Sequence, residues 1–299
     1  MNRFALAAAL ATALSASALA PAHAQESLTL KKIKETGTIT LGHRESSIPF
    51  SYYDDKQQVI GYSHELMLKA VDGIKAELKL AKIDTKLMPV TSANRITLIQ
   101  NGTVDIECGS TTNNLDRQKQ VAFSTTIFVI GTKLMVKKTA GITDFADLAG
   151  KNVVTTAGTT SERLLRKMNE DKKMGMNVIS AKDHGEAFLT LETGRAVAFM
   201  MDDALLFGEM AKAKKPGDWA VVGTAQSKEA YGCMLRKDDP GFKKVVDAAL
   251  TKVMTSGEAE KIYAKWFMNP IPPKGLNLNM PLSDEMKALY KAPNDKAFE

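Results

Sequence analysis

Strand-like and helix-like segments alternate along this chain, and the alternation stops and then starts again. Residues 38–42 read as a strand. Residues 62–78 read as a helix, because Leu66, Ala70, Ile74 and Leu78 recur on one face. Residues 85–90 read as a strand, 93–100 as a helix closed by Asn101-Gly102, and 104–108 as a strand. That is βαβαβ, which predicts a parallel sheet with right-handed crossovers.

The second round begins at a strand over residues 133–137. A short capped helix follows, with Thr143 as its cap and Gly150 as its stop. Residues 152–156, 178–180 and 196–201 read as strands, and 162–171 and 184–192 as helices between them. A further strand is expected over 230–236, long helices over 241–267, and a short helix over 283–290 in a Pro- and Asn-rich tail. The chain is thus expected to build one α/β lobe, cross to a second, and return. This gives a first lobe of residues 25–129 and 227–299 and a second lobe of residues 130–226. Crossover strands near 126–133 and 224–231 would act as the hinge.

Met1-Asn-Arg3 precedes an apolar run of small residues that ends in Ala22-His23-Ala24. This reads as a secretory signal peptide over residues 1–24. The net charge of +6 is spread over scattered Lys and Arg, without the basic cluster and interleaved aromatics of a nucleic-acid surface. Two cysteines, Cys108 and Cys233, in an exported chain favour a disulfide; the alternative is two buried free thiols. No Cys/His spacing suits a metal, and no cofactor fingerprint is present. The G-x-S-x-G, P-loop, G-x-G-x-x-G and H-E-x-x-H patterns are all missing.

The polar residues of interest lie where strands end. In the stretch from Cys108 to Ser124, Ser110 and Thr112 follow a strand and Arg117 sits in a polar helical segment. Short hydroxyls can face an ammonium, and a guanidinium can fork onto a carboxylate. Arg44 follows the first strand. Ser92 and Arg95 follow the next strand and open a helix. Thr160 stands at a second strand-to-helix turn, His184 before another helix, and Asp202 after another strand. Each alone reads as a cap or surface charge. Together they gather at one edge of parallel sheets, which favours an anion-binding cleft between the lobes.

Several of these segments carry a family likeness. They are Gly42-His-Arg-Glu-Ser-Ser-Ile-Pro-Phe-Ser-Tyr-Tyr-Asp54, Glu107-Cys-Gly-Ser-Thr-Thr-Asn-Asn114, Ser180-Ala-Lys-Asp-His-Gly185, Gly194-Arg-Ala-Val-Ala-Phe-Met-Met-Asp-Asp203 and Asn269-Pro-Ile-Pro-Pro273. Through nearly the whole mature length the chain resembles the periplasmic solute-binding proteins of polar amino-acid ABC importers. Within that family it resembles the binders of glutamate and aspartate.

The resemblance implies a type II periplasmic-binding-protein fold, a monomeric periplasmic protein, and L-glutamate or L-aspartate delivered to importer permease subunits. It implies that Arg117 and Thr160 clamp the α-carboxylate. Ser110, Thr112 and Asp202 then face the α-ammonium, and Arg44, Ser92, Arg95 and His184 receive the side-chain carboxylate. Three arginines against one aspartate leave two positive charges in this count, which suits a guest with two carboxylates. The alternatives are an enzyme on the same bilobal fold, such as a cyclohexadienyl-dehydratase-like protein with His184 as general acid, and a ligand sensor.

Overall fold

The structure, a computed structural model, describes residues 27–298. The expected signal peptide lies outside the described residues. The chain forms two main sheets flanked by helices. The first runs in the order Asp84–Pro89, Thr38–His43, Ile106–Glu107, Met234–Leu235, Ala122–Phe123. Its first three strands are parallel, as the βαβαβ pattern predicts. Met234–Leu235 is antiparallel to both of its neighbours.

The second sheet runs in the order Asn177–Ala181, Asn152–Thr156, Ala198–Asp202, Phe128–Lys137, Trp219–Val222. Its first three strands are parallel, but Phe128–Lys137 is antiparallel to Ala198–Asp202 and to Trp219–Val222. The sheet is therefore mixed: its βαβαβ strands are parallel, as expected of a mostly parallel sheet, and the crossover strand adds the antiparallel pairs. Phe128–Lys137 enters from the first sheet's side as a crossover. It joins from the opposite direction, since no crossover helix turns it round.

The same strand ties the sheets together. Near its start it pairs antiparallel with Lys228–Tyr231, in the register Phe128↔Tyr231 to Gly131↔Lys228. Farther on it pairs with Ala198–Asp202, with Thr132 opposite Asp202. An aromatic core grips this crossing. Phe50, Tyr62, Phe128, Tyr231, Tyr263 and Phe267 meet at ring-centroid distances from 4.4 to 6.3 Å. All six are buried, so Phe128 and Tyr231 enter the crossing on a fixed footing.

The expected strand over 230–236 breaks into Lys228–Tyr231 and Met234–Leu235. Between them Gly232 N–H donates to Thr111 O at 3.0 Å, and Cys233 bonds Cys108 with their Cα atoms 4.3 Å apart. The disulfide therefore pins the return segment to the loop that follows Ile106–Glu107. Asp144, not Thr143, caps the short helical turn Phe145–Leu148. Its carboxylate accepts from Phe145 N–H, while Asp147 accepts from Thr143. A charged acceptor suits a helix N-terminus better than a hydroxyl. Helix Asp203–Lys212, which follows the strand after the Asp202-Asp203 pair, is an element the sequence reading does not include. Among the described residues no helix is long and apolar enough to cross a membrane.

Candidate functional site

Local structure places the polar residues. Arg95, Thr160 and His184 are each the first residue of a helix: Arg95–Gln100, Thr160–Asp171 and His184–Glu192. Thr159 and Asp183 cap the last two through their side chains. Asp202 ends a strand and is the residue before helix Asp203–Lys212. Arg117 lies in the one-turn helix Leu115–Gln118, capped by Asn114. Strand ends and helix starts therefore converge on one region, where backbone N–H groups and aligned peptide dipoles favour anions.

The nine residues singled out from the sequence come together there. Arg44 and Arg95 are each 1 % exposed, and Ser92, Ser110, Thr112, Arg117, His184 and Asp202 are also buried, with Thr160 half-buried. Arg44 Nη1 donates to Ser110 Oγ at 3.5 Å, and Ser110 Oγ reaches Ser47 Oγ at 3.3 Å. Arg95 Nη1 donates to Ser110 O at 3.2 Å and to Thr111 Oγ1. Arg117 Nη1 donates to Thr112 O at 2.9 Å.

Contacts also cross between the two sheets' units. Arg117 Nη2 donates to Gly158 O at 3.2 Å, and Thr112 and Thr160 hydroxyls stand 3.5 Å apart. At the rim Arg163 pairs with Asp116 at 3.0 Å. Ser46 Oγ donates to Asp183 at 3.3 Å and accepts from Gly185 N–H. The cleft is shut in this structure.

Burial makes the guanidinium groups costly. Burial, followed by the charge of Arg95, pushes Arg44 down to about 10 and Arg117 down to about 9. Burial also lowers Arg95, opposed by nearby Glu107. A guanidinium keeps its charge at neutral pH, so these shifts measure a penalty for holding bare cations in a dry site. Among the described residues no carboxylate oxygen comes within 4.0 Å of any of the three. Four buried side-chain atoms here also have no hydrogen-bond partner: Arg95 Nε, Ser92 Oγ, His184 Nε2 and Glu107 Oε1. Unpaired buried polar atoms are rare and point to a guest.

His184 is held neutral. Burial, then Arg44, Arg95 and Lys212, push its pKa well below the usual imidazole value. Its Nδ1 lies 2.8 Å from Thr156 Oγ1. Asp202 Oδ1 accepts from Thr132 at 2.8 Å, and Oδ2 accepts from the Tyr231 hydroxyl. Burial, then Glu229, raise its carboxyl to about 7.

The charge count drawn from the sequence needs correction. Glu107 is fully buried and Glu229 is 4 % exposed, and both act on the arginines. With Asp202 they supply three carboxyl groups against three guanidiniums, not one. Glu107 Oε2 accepts from Thr111 at 2.7 Å, and Glu229 Oε2 accepts from Thr160 at 3.0 Å. Sequence reading missed both because one lies inside an apolar strand and the other on the return segment. The only available signal was an acid next to Cys108 in an otherwise buried run. Among the described residues no group of His, Cys, Asp or Glu is placed to hold a metal.

Residues 39–269 match the family described as bacterial extracellular solute-binding proteins, family 3. The chain is 67% identical over 293 residues to the L-glutamate/L-aspartate-binding protein of Pseudomonas aeruginosa, covering 97% of each chain. It is 65% identical over 270 residues to the glutamate/aspartate import solute-binding protein of Salmonella typhimurium, covering 90% of this chain and 89% of that one. Both relatives are named as binding proteins rather than enzymes. A solved ancestral arginine-binding protein bound to arginine superposes with a TM-score of 0.70 at 28% identity, covering 77% of this chain and 98% of that one. By the family match over most of its length and by these relatives, this chain belongs to the family 3 bacterial extracellular solute-binding proteins.

Proposed function

We propose that this protein captures L-glutamate or L-aspartate in the periplasm by closing its two lobes, and presents the closed form to the permease subunits of an ABC importer. The observation that carries this reading is the trio of buried guanidiniums with no carboxylate within 4.0 Å among the described residues, beside the partnerless Arg95 Nε, Ser92 Oγ and His184 Nε2. The names of its two close relatives agree.

In this reading Arg117 and the Thr160 backbone N–H, at the start of its helix, hold the α-carboxylate across the cleft, while the Thr160 hydroxyl stays with Glu229. Ser110 and Thr112 meet the α-ammonium, with Asp202 as its counter-charge. Arg44, Ser92, Arg95 and His184 receive the side-chain carboxylate, which would supply partners for Arg95 Nε, Ser92 Oγ and His184 Nε2. A neutral His184 has one N–H and one lone pair, so it can donate at one nitrogen and accept at the other. Closure adds the second lobe's groups to the first lobe's, so the ligand favours the shut state. Glutamine would bring an amide where two guanidiniums need an anion. Charge-assisted hydrogen bonds contribute about 1.5–3 kcal/mol each.

We also read residues 1–24 as the cleaved leader, residues 25–129 with 227–299 as the first lobe, residues 130–226 as the second, and the working protein as a monomer. A thermal-shift screen of the twenty amino acids tests the reading. L-Glutamate and L-aspartate should raise the melting temperature most, since ligand binding stabilises the folded state by mass action. A larger shift with a neutral or basic amino acid would contradict it.

A further inference from the structure

Four side chains at the hinge form one continuous hydrogen-bonded chain. Asp202 Oδ1 is 2.8 Å from Thr132 Oγ1, Thr132 Oγ1 is 2.7 Å from Ser227 Oγ, and Ser227 Oγ is 2.6 Å from Glu229 Oε1. Both hinge strands contribute. Thr132 lies on Phe128–Lys137, Glu229 on Lys228–Tyr231, and Ser227 just ahead of it. The far oxygens of the two carboxyls already have donors of their own, Tyr231 for Asp202 and Thr160 for Glu229.

The protons in this chain can be counted. Three hydrogen bonds link two carboxyls through two hydroxyls, and two hydroxyls carry only two protons. If Thr132 donates to Asp202, Ser227 can donate to Thr132 or to Glu229, not to both. A third proton on one carboxyl completes all three bonds.

The charge around the cleft leads to the same place. Arg44, Arg95 and Arg117 face Glu107, Asp202 and Glu229, so a fully ionised set is neutral. An acidic amino acid would leave its buried complex with one uncompensated negative charge, and one added proton cancels it. Other charged and titratable groups acting on the pair are Asp203, which raises Asp202, Lys133 beside Asp203, and Tyr231. Arg95 and Arg117 act on it from the first lobe. The raised carboxyl of Asp202 agrees with the count.

We infer that Asp202 and Glu229 share one proton in the closed, ligand-bound site, so that capture of an acidic amino acid takes up a proton from solvent. The inference rests on the proposed ligand class. In an open cleft, water reaches both carboxyls and solvates their charge. Closing the cleft removes that water, and the pair binds a proton as it is buried. Glu229 is a positioning residue here: it shares the proton that keeps Asp202 in place, without touching the ligand. Uptake should be largest between the ordinary carboxylate range and neutrality, so affinity falls as pH rises through that window.

Calorimetry of L-glutamate binding at pH 6, run in two buffers of different ionisation enthalpy, counts the protons. The wild type should take up roughly 0.5–1 proton more than Glu229→Gln, whose amide donates to Ser227 without needing an added proton. Any histidine contribution is common to both proteins and cancels in the difference. Ser227→Ala, which cuts the chain at its middle, should also lower the count. Equal proton counts in the wild type and both variants, with L-glutamate still bound, would overturn the shared proton and leave the ligand reading standing. No L-glutamate binding by the wild type would overturn both.

Discussion

Arg117 Nη2 donates to Gly158 O across the cleft at 3.2 Å, so one side chain holds the two lobes together where the α-carboxylate is proposed to sit. Gly158 has φ +75°, and a Cβ placed on it would stand 2.7 Å from Ala93 Cα and 2.8 Å from Ala93 N. Backbone meets backbone there, and neither can swing aside.

Gly158→Ala should therefore act as a wedge. The alanine needs a left-handed conformation, costing about 1 kcal/mol, and also collides with the opposite lobe only when the cleft is shut. Ligand affinity should fall tenfold or more in calorimetry, while the ligand-free melting temperature moves by only a few degrees. Unchanged affinity would mean that Gly158 does not set the closing distance.

The arginines should divide the work. Arg117→Ala should abolish binding of every amino acid, since it removes the α-carboxylate clamp. Arg95→Ala should weaken acidic ligands by about a hundredfold or more and neutral ones far less, because it removes a charge-assisted contact to the side chain alone. Circular dichroism would confirm that both variants fold. Equal loss across all ligands in both would contradict the division.

The disulfide should matter to stability. Cys108 and Cys233 close a loop of 125 residues. By loop-closure entropy such a bridge contributes roughly 4–5 kcal/mol, which translates to a fall on the order of 5–10 °C in melting temperature on reduction. Calorimetric scans with and without reductant check this. The same scans with ligand present should show whether the loop after Ile106–Glu107, which carries Ser110 and Thr112, depends on the bridge.

Much of this arrangement was legible in the sequence. The period of the apolar residues located the strands Asn152–Thr156 and Asn177–Ala181 and the helices Tyr62–Glu77 and His184–Glu192 to within a residue or two. Strand ends and the helix starts after them pointed to one polar region, because parallel strands point the same way, and the family resemblance picked out the nine residues within it. The charge balance was not legible. Glu107 sits in an apolar strand and Glu229 is brought in by the return segment, so neither falls on the pattern that found the others. The direction of Phe128–Lys137 was also hidden, since a strand's orientation depends on the crossover and not on its own residues.

Acid should destabilise the fold through a buried histidine. Burial, then His43, push His64 down to about 4, below its ordinary 6.5. A lowered histidine binds its proton more weakly when folded than when unfolded. Its contribution is therefore intact above pH 6.5 and is lost as pH falls from there towards 4. His64→Gln should remove roughly 1–2 kcal/mol of the stability lost between pH 7 and pH 5, as read by denaturant unfolding at the two pH values. An identical pH profile in the variant would show that His64 is not responsible.

The central claim is that three buried guanidiniums, with no carboxylate within 4.0 Å among the described residues, await the ligand's carboxylates. Calorimetric titration of the wild type with L-glutamate and, side by side, with L-glutamine measures it most directly. The account predicts tight one-to-one binding of L-glutamate and binding of L-glutamine at least about a hundredfold weaker. Equal affinities for the two would contradict it.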